Sequence, residues 1–178
     1  MDLALPLLFV RLIVGLAMAA HGAQKLFGWF GGYGLAGTGG FLEQLGFKPG
    51  KAFAFAAGLA EGLGGLLIAL GLFGPVGAAL VISAMTVAIV TVHLRNGFFA
   101  TTNGVELPLL YLLVAVIYGF SGYGALSVDA ATGLAAIWTP TLVWVFVGLG
   151  IVGGLLNLAV RRKAPAIPAA PEGLDPAV

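Results

Sequence analysis

The chain has no cysteine, only two histidines and few charges of either sign. Without cysteine there are no disulfides, no thiol chemistry and no thiolate-held cluster. His21 and His93 alone are too few for a self-contained three-histidine metal site, so no metal is expected. Charged residues make up 8% of the sequence, against about 25% in an ordinary soluble domain. At 60% hydrophobic, the chain has too little polar surface to face water. It reads as an integral membrane protein whose first partner is the lipid bilayer. A length of 178 residues fits one domain. The net charge of +1 gives no reason to expect nucleic acid.

What is present is a series of long apolar runs. A spanning helix needs about 20 mostly apolar residues. Five runs fit, near 5–27, 52–73, 75–95, 106–121 and 137–160, within a membrane domain over residues 1–163. The expected fold is all-α, a polytopic transmembrane helical bundle. Ala17-Met18-Ala19 imitates a signal-peptidase site, but Asp2 precedes the run and Arg11 interrupts it, so the first segment is expected to be retained. "GLFGPVG" (71–77) predicts a tight hairpin between the second and third spans. "FLEQLGF" (41–47) predicts a short interfacial helix. Residues 164–178, rich in Pro and Ala, are expected to form a disordered cytoplasmic tail. Lys25, Lys48, Lys51, Arg95 and Arg161 to Lys163 alternate with connections that lack Lys and Arg. By the positive-inside rule the N-terminus lies outside and the C-terminus in the cytoplasm, in a bacterial plasma membrane.

An ionisable side chain at the centre of a spanning helix costs about 2.5–3.5 kcal/mol on insertion scales. Each one therefore calls for a partner or a wet cavity. On a helix of ~100° per residue, Arg11, His21 and Lys25 fall within a sector of about 80°, which should face the bundle interior. Glu61 sits mid-helix with no acidic neighbour in its own segment, and Arg11 or His21 is its expected partner. His21, Lys25, His93, Arg95, Asn103 and Glu106 come from three helices and should share one leaflet. They predict a polar pocket with Glu61 at its inner end.

Plainer roles compete at several positions. Lys25 could snorkel. His93 and Arg95 could complement a helix dipole. "NGVE" (103–106) could be a capping box. Asp129 reads as a loop cap. "GLAEG" and "GIVGG" fit close helix packing. Trp29, Phe30, Tyr33, Phe98 and Phe99 fit an aromatic belt. "GYGLAG" (32–37) follows no strand, so it is no dinucleotide fingerprint.

Five stretches resemble the DoxX (DoxX/DoxD-like) family of small bacterial membrane proteins. They are "RLIVGLAMAAHGAQKLFG" (11–28), "AEGLGGLLIALGLFGPVGAAL" (60–80), "HLRNGFF" (93–99), "NGVELPLLYLL" (103–113) and "GYGALSVD" (122–129). The resemblance covers about residues 8–130. It implies a four-helix core, with the segment 137–160 as an additional fifth helix. The family pattern maps onto His21, Gly22, Lys25, Glu61, His93, Glu106 and Asp129. It also implies a link to quinone-coupled sulfur oxidation and to membrane oxidoreductase complexes.

Three functions compete. One is a membrane subunit of a redox system whose pocket binds a quinone or similar small molecule. Lacking cysteine and any flavin motif, such a subunit would receive electrons from a soluble redox partner. The second is transport of a small solute or proton, which in so short a chain calls for a homo-oligomer. The third is a non-catalytic scaffold for an oxidoreductase complex. Haem ligation by His21 and His93 is disfavoured, because His93 lies close to a helix end.

Overall fold

The computed structural model describes residues 3–162, so the tail expected over 164–178 lies outside the described residues. α1 (Ala4–Phe27) has 24 residues. At ~1.5 Å per residue this is about 36 Å, enough to cross a hydrocarbon core of about 30 Å. It stops at Gly28, whose left-handed backbone (φ 74°) closes the helix. α2 (Gly34–Gln44) starts earlier than "FLEQLGF" suggested and lies against α3 and α1. α3 (Gly50–Leu70) ends at Gly71, also left-handed. The bonds Gly71 N to Ile68 O (3.1 Å) and Leu72 N to Leu67 O (2.9 Å) finish it. Pro75 opens α4 (Pro75–Ala88) at the first turn, where its missing N–H costs nothing. The hairpin between α3 and α4 is thus as tight as "GLFGPVG" implied.

The axis of α4 continues beyond Ala88. Residues Ile89–His93 widen into a π-turn, and Leu94–Asn96 tighten into a 3₁₀ turn. α5 (Glu106–Ser121), α6 (Val128–Thr132) and α7 (Pro140–Ala159) complete the chain. α1, α3, the extended α4 and α7 are long and apolar enough to span a membrane; α5 is shorter, at 16 residues. Large apolar side chains at Leu5, Phe9, Ile13 and Leu16 on α1, and at Val145, Leu149, Val152 and Leu156 on α7, are exposed from the protein. In a soluble protein such a surface would aggregate; here it faces lipid. The chain is a polytopic helical membrane protein.

The bundle has two ends. The hairpin end holds residues 71–74 and the α5–α7 connection. The basic end gathers Lys25, Lys48, Lys51, Arg95, Arg161 and Arg162. α1 and α3 form the most extensive helix pair, through small residues. A Cβ on Gly15 would come within 2.6 Å of Gly65 O and Ala69 N, and one on Gly22 would strike the backbone of Gly58 and Gly62. α3 and α4 also approach closely, where a Cβ on Gly64 or Gly77 would stand 3.0 Å from the other's carbonyl oxygen. Met18, Ile68, Ala78, Val81, Ile82 and Tyr118 are almost fully buried in this half and form the core.

Candidate functional site

The close α1–α3 packing sets the register that decides which charges meet. Gly22 lies against Gly58 and Gly62, so Lys25, one turn further along α1, reaches Glu61. The ammonium and carboxylate form a direct ion pair with side-chain exposures of 29% and 5%. This corrects the expected pairing of Glu61 with Arg11 or His21. Arg11 lies about 16 Å along the axis from Gly22, at the level of Gly71, too far from Glu61. The long stem of Lys25 does not carry its charge out to the interface; it returns it to the bundle.

The ion pair faces a cavity of about 430 Å³ in the basic half of the bundle. α3 contributes Ala56, Ala57, Ala60 and Glu61; α4 contributes Ser83, Ala84 and Ala88, and the π-turn after it Thr91. His21 and Lys25 approach from α1, and Leu107, Pro108 and Tyr111 from α5. Thr38, Phe41 and Leu42 of α2, with Phe47, cover it from the basic end, and Asn157 of α7 closes a further side. His93, at the end of the π-turn, and Asn103 complete the rim. α1 and α5 touch sparsely; in this half, the His21 and Tyr111 rings meet edge to face at 5.7 Å.

Both histidines are oriented. Gln24 Nε2 donates to Phe30 O (3.2 Å), which turns Gln24 Oε1 toward His21 Nδ1 at 3.1 Å. His93 Nδ1 lies 2.9 Å from the backbone carbonyl of Asn103. The cover is held from outside: Arg161 Nε donates to Leu45 O, Arg162 N donates to Gly46 O (2.9 Å), and Gly50 N donates to Glu43 Oε1 (2.9 Å).

Of the residues singled out in the sequence, His21, Lys25, Glu61, His93 and Asn103 line this cavity. Arg11, Arg95 and Glu106 do not. Arg95 is exposed at the basic end. Glu106 braces the preceding loop by accepting from Ala100 N (2.8 Å). The capping box that competed at 103–106 does not form: the residue before α5 is Val105, without a side-chain cap, and Asn103 adopts a left-handed turn. Gln24, Tyr111, Thr38 and Asn157 were missed. Asn157 carried a signal, as a lone amide in an apolar run that insertion energetics should have flagged. Gln24 and Tyr111 carried none.

Arg11 serves the other end. It is buried, donates from Nη2 to Leu126 O, and has no protein partner at Nε or Nη1 among the described residues. Tyr118 donates to Leu7 O (2.7 Å) and Tyr123 to Gly74 O (2.7 Å), with their rings stacked. Burial, and then the charge of Asp129, hold the Tyr123 hydroxyl above the ordinary phenol range, while Arg11 opposes them. The cap of α6 is Ser127, whose Oγ accepts from Ala130 N (3.1 Å). Asp129 does something else. Its buried carboxylate accepts from Phe73 N (2.9 Å), Gly74 N (2.6 Å) and Trp138 Nε1 (3.0 Å). Phe73 and Gly74 both have positive φ, so their N–H groups form a small anion-binding nest. The nest fastens the α3–α4 hairpin to the α5–α7 connection.

A multi-pass helical bundle with a half-buried ion pair opening on an intramembrane cavity defines the class. The DoxX family model matches residues 6–94, and the chain belongs to the DoxX family. It is 33% identical over 126 residues, covering 69% of this chain and 87% of the relative, to an uncharacterized protein of Haemophilus influenzae. No solved structure matches.

Proposed function

We propose that the cavity binds a small, largely apolar molecule with a polar head, drawn from the membrane, and that the chain acts as the membrane subunit of a redox system with a quinone-type ligand. The Lys25–Glu61 pair carries this reading. A buried structural ion pair repays its desolvation only when further hydrogen bonds satisfy its remaining lone pairs and protons; here Glu61 Oε1 has no protein partner among the described residues and the pair lines about 430 Å³ of cavity space, within the 300–1,000 Å³ of ordinary ligand sites. Apolar walls from Ala57, Ala60, Ala84 and Ala88 suit a flat ring. His21, Lys25, Glu61 and His93 supply the few polar groups that orient a head. The chain has no cysteine, so electrons would come from a partner protein. With the basic end cytoplasmic, the ligand enters from the inner leaflet through the thin α1–α5 seam. A second cavity, of about 380 Å³, lies at the hairpin end but shares no lining residue with this one; two separate cavities favour binding over passage, and so count against transport.

The test is a titration of a decyl-substituted benzoquinone and its hydroquinone into the purified protein in nanodiscs. Saturable binding of at least one, weakened about tenfold or more by Glu61→Gln, is expected. Binding of neither sinks the reading.

A further inference from the structure

The fixed histidine tautomers make the site selective between ligands of nearly the same shape. A backbone carbonyl can only accept. Asn103 O receives Asn96 Nδ2 at 3.2 Å and stands 2.9 Å from His93 Nδ1, so Nδ1 carries the hydrogen there. The neutral ring then presents Nε2 as a bare acceptor. His21 follows the same logic through one more link. Gln24 must direct its NH₂ group to Phe30 O, so its oxygen faces His21 Nδ1, and Nδ1 again donates. Phe30 itself adopts a left-handed backbone (φ 51°), and its carbonyl is what turns the Gln24 amide.

The unpaired groups on the cavity wall are therefore biased. His21 Nε2, His93 Nε2 and Glu61 Oε1 belong to lining residues and have no protein hydrogen bond among the described residues, and in neutral rings and an ionised carboxylate all three accept only. Against them stands one donor-only group, the Lys25 ammonium, one of whose hydrogens Glu61 already takes; the side-chain amides of Asn103 and Asn157 offer both an oxygen and an unused N–H and so serve either kind of ligand. The hydroxyls of Thr38, Ser83 and Tyr111 can turn either way. A ligand that only accepts leaves the acceptors unpaired, and sites built for a hydroxyl reject the analogue that lacks it.

We infer that this cavity selects a ligand whose polar head donates hydrogen bonds: a hydroxylated aromatic, in preference to the corresponding quinone or ether. The inference rests on the binding reading above and names the chemical class, and for a redox couple the reduced member, that the site prefers. Gln24 is a positioning residue in it, acting on the ligand through His21.

The test compares three probes of matched size with the wild-type protein in nanodiscs: decylhydroquinone, its dimethyl ether and decylbenzoquinone. The hydroquinone is expected to bind about tenfold or more tightly than either of the others. His21→Phe, which keeps a ring against Tyr111, should lower the hydroquinone affinity several-fold and leave the ether unchanged. Gln24→Leu, which releases the His21 tautomer, should narrow the preference by about threefold with the same split. Equal affinity for the three probes, or a preference for the quinone, overturns the inference and leaves the binding reading standing. Binding of none of them overturns both.

Discussion

The two halves of the bundle are built from the same helices and solve opposite problems. At the hairpin end, α1, α3 and α4 are drawn together and polar groups are spent on fastening, while a second cavity of about 380 Å³ is left beside α5 and Trp138. Tyr118 ties α5 to Leu7, Arg11 ties α1 to Leu126, and Asp129 ties the α3–α4 turn to Trp138. At the basic end the same helices stand apart around a cavity, and the polar groups on its wall keep unused hydrogen-bonding capacity. Intramembrane charge thus has two meanings in one chain. Asp129 is saturated by three donors and is structural; Glu61 has one partner and an open side. What separates them is how many bonds the surroundings supply, which burial alone does not reveal.

The contrast is sharpest for added volume. Ala78 is fully buried and Ala57 lines the cavity. Ala78→Phe should cost roughly 3 kcal/mol or more through overpacking and reduce the yield of monodisperse protein. Ala57→Phe should change thermal stability in detergent by less than about 1 kcal/mol while blocking the decylhydroquinone titration. Equal damage from both would mean the two halves are equally packed. Next in size is Asp129→Ala, which leaves three donors unpaired, one of them buried and two part-buried, and should cost about 3 kcal/mol, read as a lowered unfolding midpoint with the cavity titration still measurable in the surviving fold.

A smaller effect tests the ion pair. Glu61→Leu and Lys25→Met should each destabilise by about 1–2 kcal/mol. The double variant should recover part of the sum, since removing both charges leaves neither unpaired; strict additivity in the same melting assay would show that the pair contributes nothing. The smallest effect is expected at Arg11. Two of its nitrogens lack a protein partner, so Arg11→Met should shift stability by no more than about 1 kcal/mol in either direction. A loss of several kcal/mol would assign Arg11 a far stronger fastening role than its one carbonyl contact supports.

The helical bundle and its hairpin were legible because apolar run length and Gly/Pro punctuation act locally. The gathering of His21, Lys25, Glu61, His93 and Asn103 around one space was legible too, since unpaired charge in hydrocarbon is so unfavourable that such groups must converge. The pairing within that set was not. Choosing Arg11 or His21 over Lys25 ignored the vertical register of α1 on α3, which the spacing of Gly15 and Gly22 against Gly58, Gly62 and Gly65 encodes. Angular position and leaflet narrow the set but do not separate His21 from Lys25, one turn apart; the residue-level register does. The cavity walls gave no signal at all: Ala57, Ala60, Ala84 and Ala88 look the same in sequence whether they touch a neighbouring helix or empty space. Nor could sequence tell a saturated Asp129 from a helix cap, because its donors, Phe73, Gly74 and Trp138, come from two distant turns.

The clasp of Arg161 and Arg162 on Leu45 and Gly46 also orders biogenesis. α2 is synthesised well before α7, yet the carbonyls that secure it over the cavity find their donors only at the far end of α7. Until α7 is in place Glu61 stands beneath an unfastened cover, so the site is completed later than the helices that line most of it.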